Sequence, residues 1–326
     1  MRHLVRSIII LVVFIPVITA CTQGENQANK NHTDKISIYT TLYPIEDFTR
    51  KIGGEYVEVT NLLSDGMDPH TYEPTSKTIV EIAQSDLFMY SGAGLEAYAE
   101  KISKAVESEE VLIVEAAKDV GTVHHGHGKE VTVSKPVHES EEEDSHHNHQ
   151  HGDKDPHVWL DPLRSIDIAE TIKESLISVK PEHKKFFQKN FQELKANLEA
   201  LDSKFHNVIR HADRKQFVVS HAAYGYWEEA YGIKQIGISG MNQNSELSQK
   251  ELTNIINEVK EQQIDYLLFE NTSVSNVAQL IKDEVGATVL PIHNLSVRTR
   301  EEIQNQDDYF SLMRKNLESL STALND

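Results

Sequence analysis

Cysteine is nearly missing from this chain. Cys21 is the only one among 326 residues, so no disulfide framework can staple the fold. Basic residues are outnumbered: 32 Lys and Arg face 51 Asp and Glu, and the formal charge of −19 excludes a surface built for nucleic-acid phosphates. The same acidity suits a protein that gathers cations. Long apolar runs are scarce too, and the one that stands out, Ile8 to Ile18, is too short to span a bilayer as a helix. Signatures of hydrolytic chemistry are also missing. The chain has no H-E-x-x-H helix motif, no G-x-S-x-G elbow and no Walker A loop. A secreted zinc hydrolase, the rival reading, needs an open coordination position and a general base; the chain is read as a non-enzyme.

The short apolar run follows Arg2 and Arg6 and ends at Thr19-Ala20-Cys21, the pattern of an export signal. A lone cysteine placed there reads as a lipobox, so residues 1–20 are expected to be a signal peptide cut before Cys21, with Cys21 lipidated. The polar stretch 21–35 is expected to tether the folded body to the membrane from outside the cell.

What the chain has in excess is histidine. Eight of its 17 fall in one stretch: His124, His125, His127, His138, His146, His147, His149 and His151. Glu139, Glu141, Glu142, Glu143 and Asp144 lie among them. The segment has too few apolar residues to build a core, so 121–154 is expected to be a loop. Imidazole with carboxylate support favours borderline transition metals. The loop reads as a low-affinity metal collector.

Around it, strand-like and helix-like segments alternate. Strand candidates at 36–40, 56–63, 87–91 and 111–116 precede the loop, and 217–221, 234–239, 264–270 and 288–293 follow it. This rhythm predicts an α/β fold of two lobes, each a parallel-type sheet wrapped by helices. Between them, Phe187, Phe191, Leu194, Leu198, Leu201, Phe205 and Val208 recur at helical spacing, which predicts one long linking helix over 181–211. The expected lobes are 36–180 and 212–326. An earlier helix is expected to start at Asp161-Pro162, Asp as cap and Pro in the first turn.

Four histidines outside the loop stand at strand ends or beside them. His221 closes FVVSH and His293 closes TVLPIH; His70 and His157 each sit in an Asp-Pro-His element, 68–70 and 155–157. Ligands in open α/β sheets bind beyond the carboxyl ends of the strands, so the four imidazoles are expected to meet around one ion in the interlobe cleft. Glu270, ending LLFE, is the alternative fourth ligand to His293. Three or four imidazoles suit tetrahedral Zn²⁺.

The lipobox, DPHTYEPT, the His-rich acidic insertion, DPHVWLDP, the helix near PEH and FVVSHAAYGYW together resemble the zinc-binding lipoproteins of bacterial ABC uptake transporters, the cluster A-I metal-binding solute-binding proteins. The resemblance implies two (β/α)4 lobes joined by a rigid helix and metal in the cleft. It maps three histidine ligands onto His70, His157 and His221. It also implies delivery of the ion to a membrane permease driven by a cytoplasmic ATPase. The expected protein is a monomer, anchored by lipid on Cys21, with Zn²⁺ as its cargo and adhesion as a conceivable side role.

Overall fold

The structure, a computed structural model, describes residues 35–63, 67–123, 154–240, 248–270 and 276–325. The export signal, Cys21 and the histidine-rich stretch lie outside them. Residues Asp34–Asp326 form one compact unit.

The first half runs β1 (Ile36–Thr40), α1 (Tyr43–Gly53), β2 (Val57–Asn61), α2 (Ser76–Ala83), β3 (Leu87–Tyr90), α3 (Ala97–Ala105) and β4 (Leu112–Glu115). Two helices follow, α4 (Pro162–Val179) and α5 (Lys184–Arg210). The second half is β5 (Gln216–His221), α6 (Gly225–Tyr231), β6 (Lys234–Ser239), α7 (Gln249–Glu261), β7 (Tyr266–Glu270), α8 (Asn276–Val285) and β8 (Thr288–Ile292), closed by α9 (Arg300–Gln304) and α10 (Tyr309–Asn325). The two four-stranded parallel sheets have equivalent orders, β2-β1-β3-β4 and β6-β5-β7-β8. In each, the chain winds outward one way and then the other, leaving a switch point between the first and third strands. Such switch points are where open α/β sheets bind ligands.

Local chemistry sets the boundaries. Thr75 caps α2 by accepting from Thr78 N–H, and Ser248 and Thr299 cap α7 and α9 in capping boxes with Glu251 and Glu302. Asp161 caps α4, accepting from Leu163 N–H at 2.8 Å and Arg164 N–H at 3.3 Å, with Pro162 in the first turn. This matches the reading of Asp161-Pro162.

The long helix starts later than its apolar period suggested. Pro181–His183 form a separate 3₁₀ turn, and Lys180 before the proline has φ −132° and ψ 76°, outside the α region as a pre-proline residue tends to be. α5 then runs 27 residues, about 40 Å at 1.5 Å per residue. Its buried stripe is Phe187, Phe191, Leu194, Leu198, Leu201, Phe205 and Ile209. Val208 is only partly buried, because the four-residue step from Phe205 lands on Ile209.

α5 packs against α1 and α4 of the earlier chain and α6 and α10 of the later chain. A single apolar cluster contains Ile38, Phe48 and Trp159 together with Trp227, Tyr309 and Leu324. The two sheets therefore share one continuous core along α5. Polar ties reinforce the seam: Tyr309 Oη donates to the Trp159 carbonyl at 2.7 Å, and Tyr43 N–H donates to the Ser296 carbonyl at 3.0 Å. Among the described residues no helix is long and apolar enough to cross a membrane.

Candidate metal centre

The two Asp-Pro-His elements make the same local structure. Asp68 Oδ1 accepts from His70 N–H at 2.9 Å, and Asp155 Oδ1 accepts from His157 N–H at 3.0 Å. A short carboxylate reaching two residues along the chain makes a tight turn, and the intervening proline removes a donor and fixes one φ. The histidine is aimed from a stiff base.

His157 is held further. Asp155 Oδ1 also lies 2.8 Å from His157 Nδ1, with both side chains buried. A carboxylate only accepts, so Nδ1 carries the hydrogen and the Nε2 lone pair is left to face the cleft. His221 is built differently and ends in the same state. It closes β5, and the β5–β7 register of Val219 opposite Leu268 carries it beside Glu270 at the end of β7. His221 Nδ1 is 3.2 Å from Glu270 Oε1, both side chains 2% exposed. Tyr224 Oη donates to the same oxygen at 3.1 Å.

The three imidazoles converge. Ring centroids of His157 and His221 are 5.0 Å apart, and that of His70 lies 6.2 Å and 6.3 Å from them. One nitrogen from each falls within 4.8 Å of the others. A tetrahedral ion with Zn–N near 2.05 Å needs about 3.3 Å between nitrogens, so the donors have to draw in by roughly 1.5 Å at most. The donor set fits zinc. Burial pushes the His70 imidazole down to about 4, with His157 as a like-charged neighbour. Burial also lowers His157, against the opposing pull of Asp155. Both rings are therefore neutral at pH 7, the form that ligates metal.

His293 is the fourth histidine expected at the ion. The structure places it at the end of β8 as expected, but outside the cluster. Its Nδ1 accepts from Leu295 N–H at 2.7 Å and its Nε2 is 3.2 Å from Glu302 Oε2. Nδ1 spends its lone pair on Leu295 N–H and Nε2–H donates to Glu302, both within the turn that leads to α9, so no lone pair is left for an ion in this arrangement. Glu270 is close to the cluster but spends one oxygen on His221 and Tyr224 and the other on Asn294 Nδ2 at 3.0 Å. It supports His221 in this arrangement. The eight loop histidines and Cys21 lie outside the described residues.

The sequence reading missed the carboxylate role of Asp155, although its spacing to His157 repeats that of Asp68 to His70. It also missed Asn294. The aromatics Tyr43, Trp159, Tyr224 and Trp227 are all core residues. Trp159 touches the site as well, its ring centroid 5.4 Å from that of His157.

Comparison with known proteins gives a consistent picture. The family model for the periplasmic component A of the zinc-uptake complex, ZnuA, matches residues 38–323. The zinc-binding protein AdcA of Streptococcus pyogenes serotype M3 is 35% identical over 289 residues, 88% of this chain and 55% of that protein. The chain thus spans about half the length of the streptococcal relatives it matches. The high-affinity zinc uptake system protein ZnuA of Bacillus subtilis is 28% identical over 309 residues, 94% of each chain. Among solved structures, the Zn(II)-bound ZnuA-like domain of Streptococcus pneumoniae AdcA is 29% identical with a TM-score of 0.73, covering 90% of this chain and 100% of that one.

Proposed function

From the premise that this chain belongs to the ZnuA family of zinc-uptake components, we propose that it captures Zn²⁺ outside the cytoplasm and delivers it to an ABC permease powered by an ATPase. His70, His157 and His221 hold the ion. The observation that carries this reading is the convergence of three imidazole nitrogens within 4.8 Å, two of them backed by buried carboxylates. Each donor belongs to a different element: the segment after β2, the turn before α4, and the end of β5. The streptococcal and Bacillus relatives named for zinc binding and zinc uptake support the same reading.

The chain works as a monomer tethered by lipid on Cys21, with residues 1–20 removed, and the histidine-rich stretch raises local zinc occupancy. It binds and carries rather than catalyses. The two buried carboxylates nearest the cluster, Asp155 and Glu270, each accept an imidazole N–H, and an acceptor so engaged is poorly placed to take a proton from water.

Zinc titration of the purified chain, paired with growth of a deletion strain under zinc limitation, tests the proposal. One tight site that vanishes in His157→Ala, and a growth defect rescued by added zinc, are expected. A wild-type chain that binds no zinc tightly, or a deletion strain that grows normally when starved of zinc, would overturn it.

A further inference from the structure

The turn after β8 ties the two halves of the site together at one residue. Asn294 is 7% exposed, and its carbonyl and both side-chain polar atoms are hydrogen-bonded. Its backbone carbonyl accepts from Trp159 Nε1 at 2.7 Å, two residues beyond His157. Its Oδ1 accepts from Ser296 N–H at 3.0 Å and Oγ at 2.8 Å. That arrangement turns Nδ2 toward Glu270, where it donates to Oε2 at 3.0 Å. The amide orientation follows from the network, since the two Ser296 donors require an oxygen facing them.

Glu270 is thus fixed on three sides. Asn294 holds one carboxylate oxygen, Tyr224 holds the other, and Ser220 Oγ accepts from its backbone N–H at 3.1 Å. The fourth contact is His221 Nδ1. The turn carrying Asn294 is itself costly to form: Leu295, fully buried, has φ +61°, a left-handed conformation that L-residues with large side chains adopt only when surroundings enforce it. His293 and Asn316 enforce it here. His293 N–H donates to Asn316 Oδ1 at 2.8 Å and Asn316 Nδ2 donates to the His293 carbonyl at 2.7 Å.

We infer that Asn294 is a positioning residue for metal binding: through Glu270 it fixes the tautomer and direction of His221, and through Trp159 it registers that ligand against the shelf carrying His157. The inference rests on the zinc-binding reading. Without the amide, Glu270 Oε2 loses the Asn294 donor and the carboxylate is held less firmly in line with His221 Nδ1. The imidazole then loses the bond that points its other nitrogen at the ion. Partners of this kind typically set metal affinity by about 10- to 100-fold.

The test compares the full chain with Asn294→Ala, Asn294→Asp and Ser248→Ala. Zinc affinity is read by competition with a chromophoric chelator. Ligand geometry is read from the visible absorption of bound Co²⁺, and apo thermal stability is measured alongside. Asn294→Ala and Asn294→Asp are expected to bind zinc about 10- to 100-fold more weakly and to alter the Co²⁺ bands. The aspartate is the near-isosteric variant should the alanine fail to fold; it removes the donor and adds a like charge against Glu270. Ser248→Ala removes the cap of α7 and none of the bonds to Glu270 or Asn294, so it should lower thermal stability yet keep the wild-type Co²⁺ spectrum and affinity. Unchanged affinity and spectrum in both Asn294 variants, or equal losses in Ser248→Ala, overturn the inference. A wild-type chain that binds neither metal would instead overturn the zinc reading beneath it.

Discussion

Replacing Asp155 by asparagine isolates the effect of one buried carboxylate on one ligand. Asp155 is fully buried, and its Oδ1 accepts both the backbone N–H of His157 at 3.0 Å and the ring Nδ1–H at 2.8 Å. The amide keeps the size of the carboxylate but changes its chemistry. Its oxygen is a weaker acceptor, and its NH₂ group favours a His157 whose Nδ1 accepts. That tautomer places a hydrogen on Nε2, the atom meant for the metal. Loss of such a partner costs about 10- to 100-fold in metal affinity, which at about 1.4 kcal/mol per tenfold is about 1.4 to 2.8 kcal/mol. A hydrogen bond to a charged group contributes about 1.5 to 3 kcal/mol to folding, so the metal-free protein should also melt a few degrees lower.

Stability and binding must therefore be separated, and Asp161 offers the control. It too is a buried carboxylate, 3% exposed, capping α4 and paired with Arg164 at 2.5 Å. Asp161→Asn should cost comparable stability and leave zinc affinity within about threefold, because the capping bond has no contact with an imidazole. Chelator competition at pH 7.5 measures affinity, and calorimetric melting of the apo proteins measures stability. If Asp155→Asn binds zinc within twofold of the wild type, the argument that Asp155 sets the His157 tautomer is wrong.

Other outcomes follow from the same geometry. His70→Ala should weaken zinc binding by far more than His125→Ala, and deletion of 124–151 should lower stoichiometry while sparing one tight site; isothermal titration that shows equal losses, or a deletion without the tight site, would contradict this. His293→Ala should lower the melting temperature, since His293 bridges the turn to Glu302 and holds that carboxyl down to about 2 against the effect of burial, but it should change zinc affinity by less than about threefold; a hundredfold loss would mean the turn opens to present this ring. Acidification to pH 5.5 should weaken zinc binding by less than about tenfold, whereas two ordinary imidazoles of pKa about 6.5 would cost about a hundredfold, because His70 titrates near 4 and His157 is lowered as well. The apo protein should nonetheless lose stability as pH falls from about 6.5 toward 4, where the unfolded chain takes up the His70 proton that the folded one refuses.

Much of this was legible because the relevant signals are local. The βα alternation fixes two parallel sheets, since each strand run is followed by a segment of helical period long enough to cross back. His221 could be placed beyond a strand end because FVVSH is an apolar run that stops at a polar residue. Asp-Pro-His marks two ligand turns for the same reason: all of the geometry lies within three residues. The surroundings of His293 were not legible, because direction at a strand end is decided by what the chain does next. The left-handed Leu295 folds the turn back, and Glu302 arrives from α9 to meet the ring. Thr299 and Glu302 were readable as a capping pair, but nothing local says that the capping carboxylate also takes an imidazole. Glu270 beside His221 depends on strand order, which places β7 next to β5 across a crossover.

The same contrast between local and long-range support describes how the site meets a dication. His157 and His221 are buried, 5.0 Å apart between ring centroids, and each is pinned by a carboxylate. Their two supports come from different halves of the chain yet are anchored in one shared core, through Trp159 and Asn294, so this two-point seat exists before metal arrives. His70 stands farther off and is only partly buried. The seat carries two buried carboxylates, Asp155 and Glu270, each bonded to an imidazole nitrogen. Burying either carboxylate is costly, and the hydrogen bonds it accepts offset that cost in the metal-free chain. On the proposed zinc reading, His70 joins this pair as the third donor, the nitrogens drawing in by roughly 1.5 Å at most. On that reading His70 is the donor whose removal separates the seat formed by His157 and His221 from a completed site.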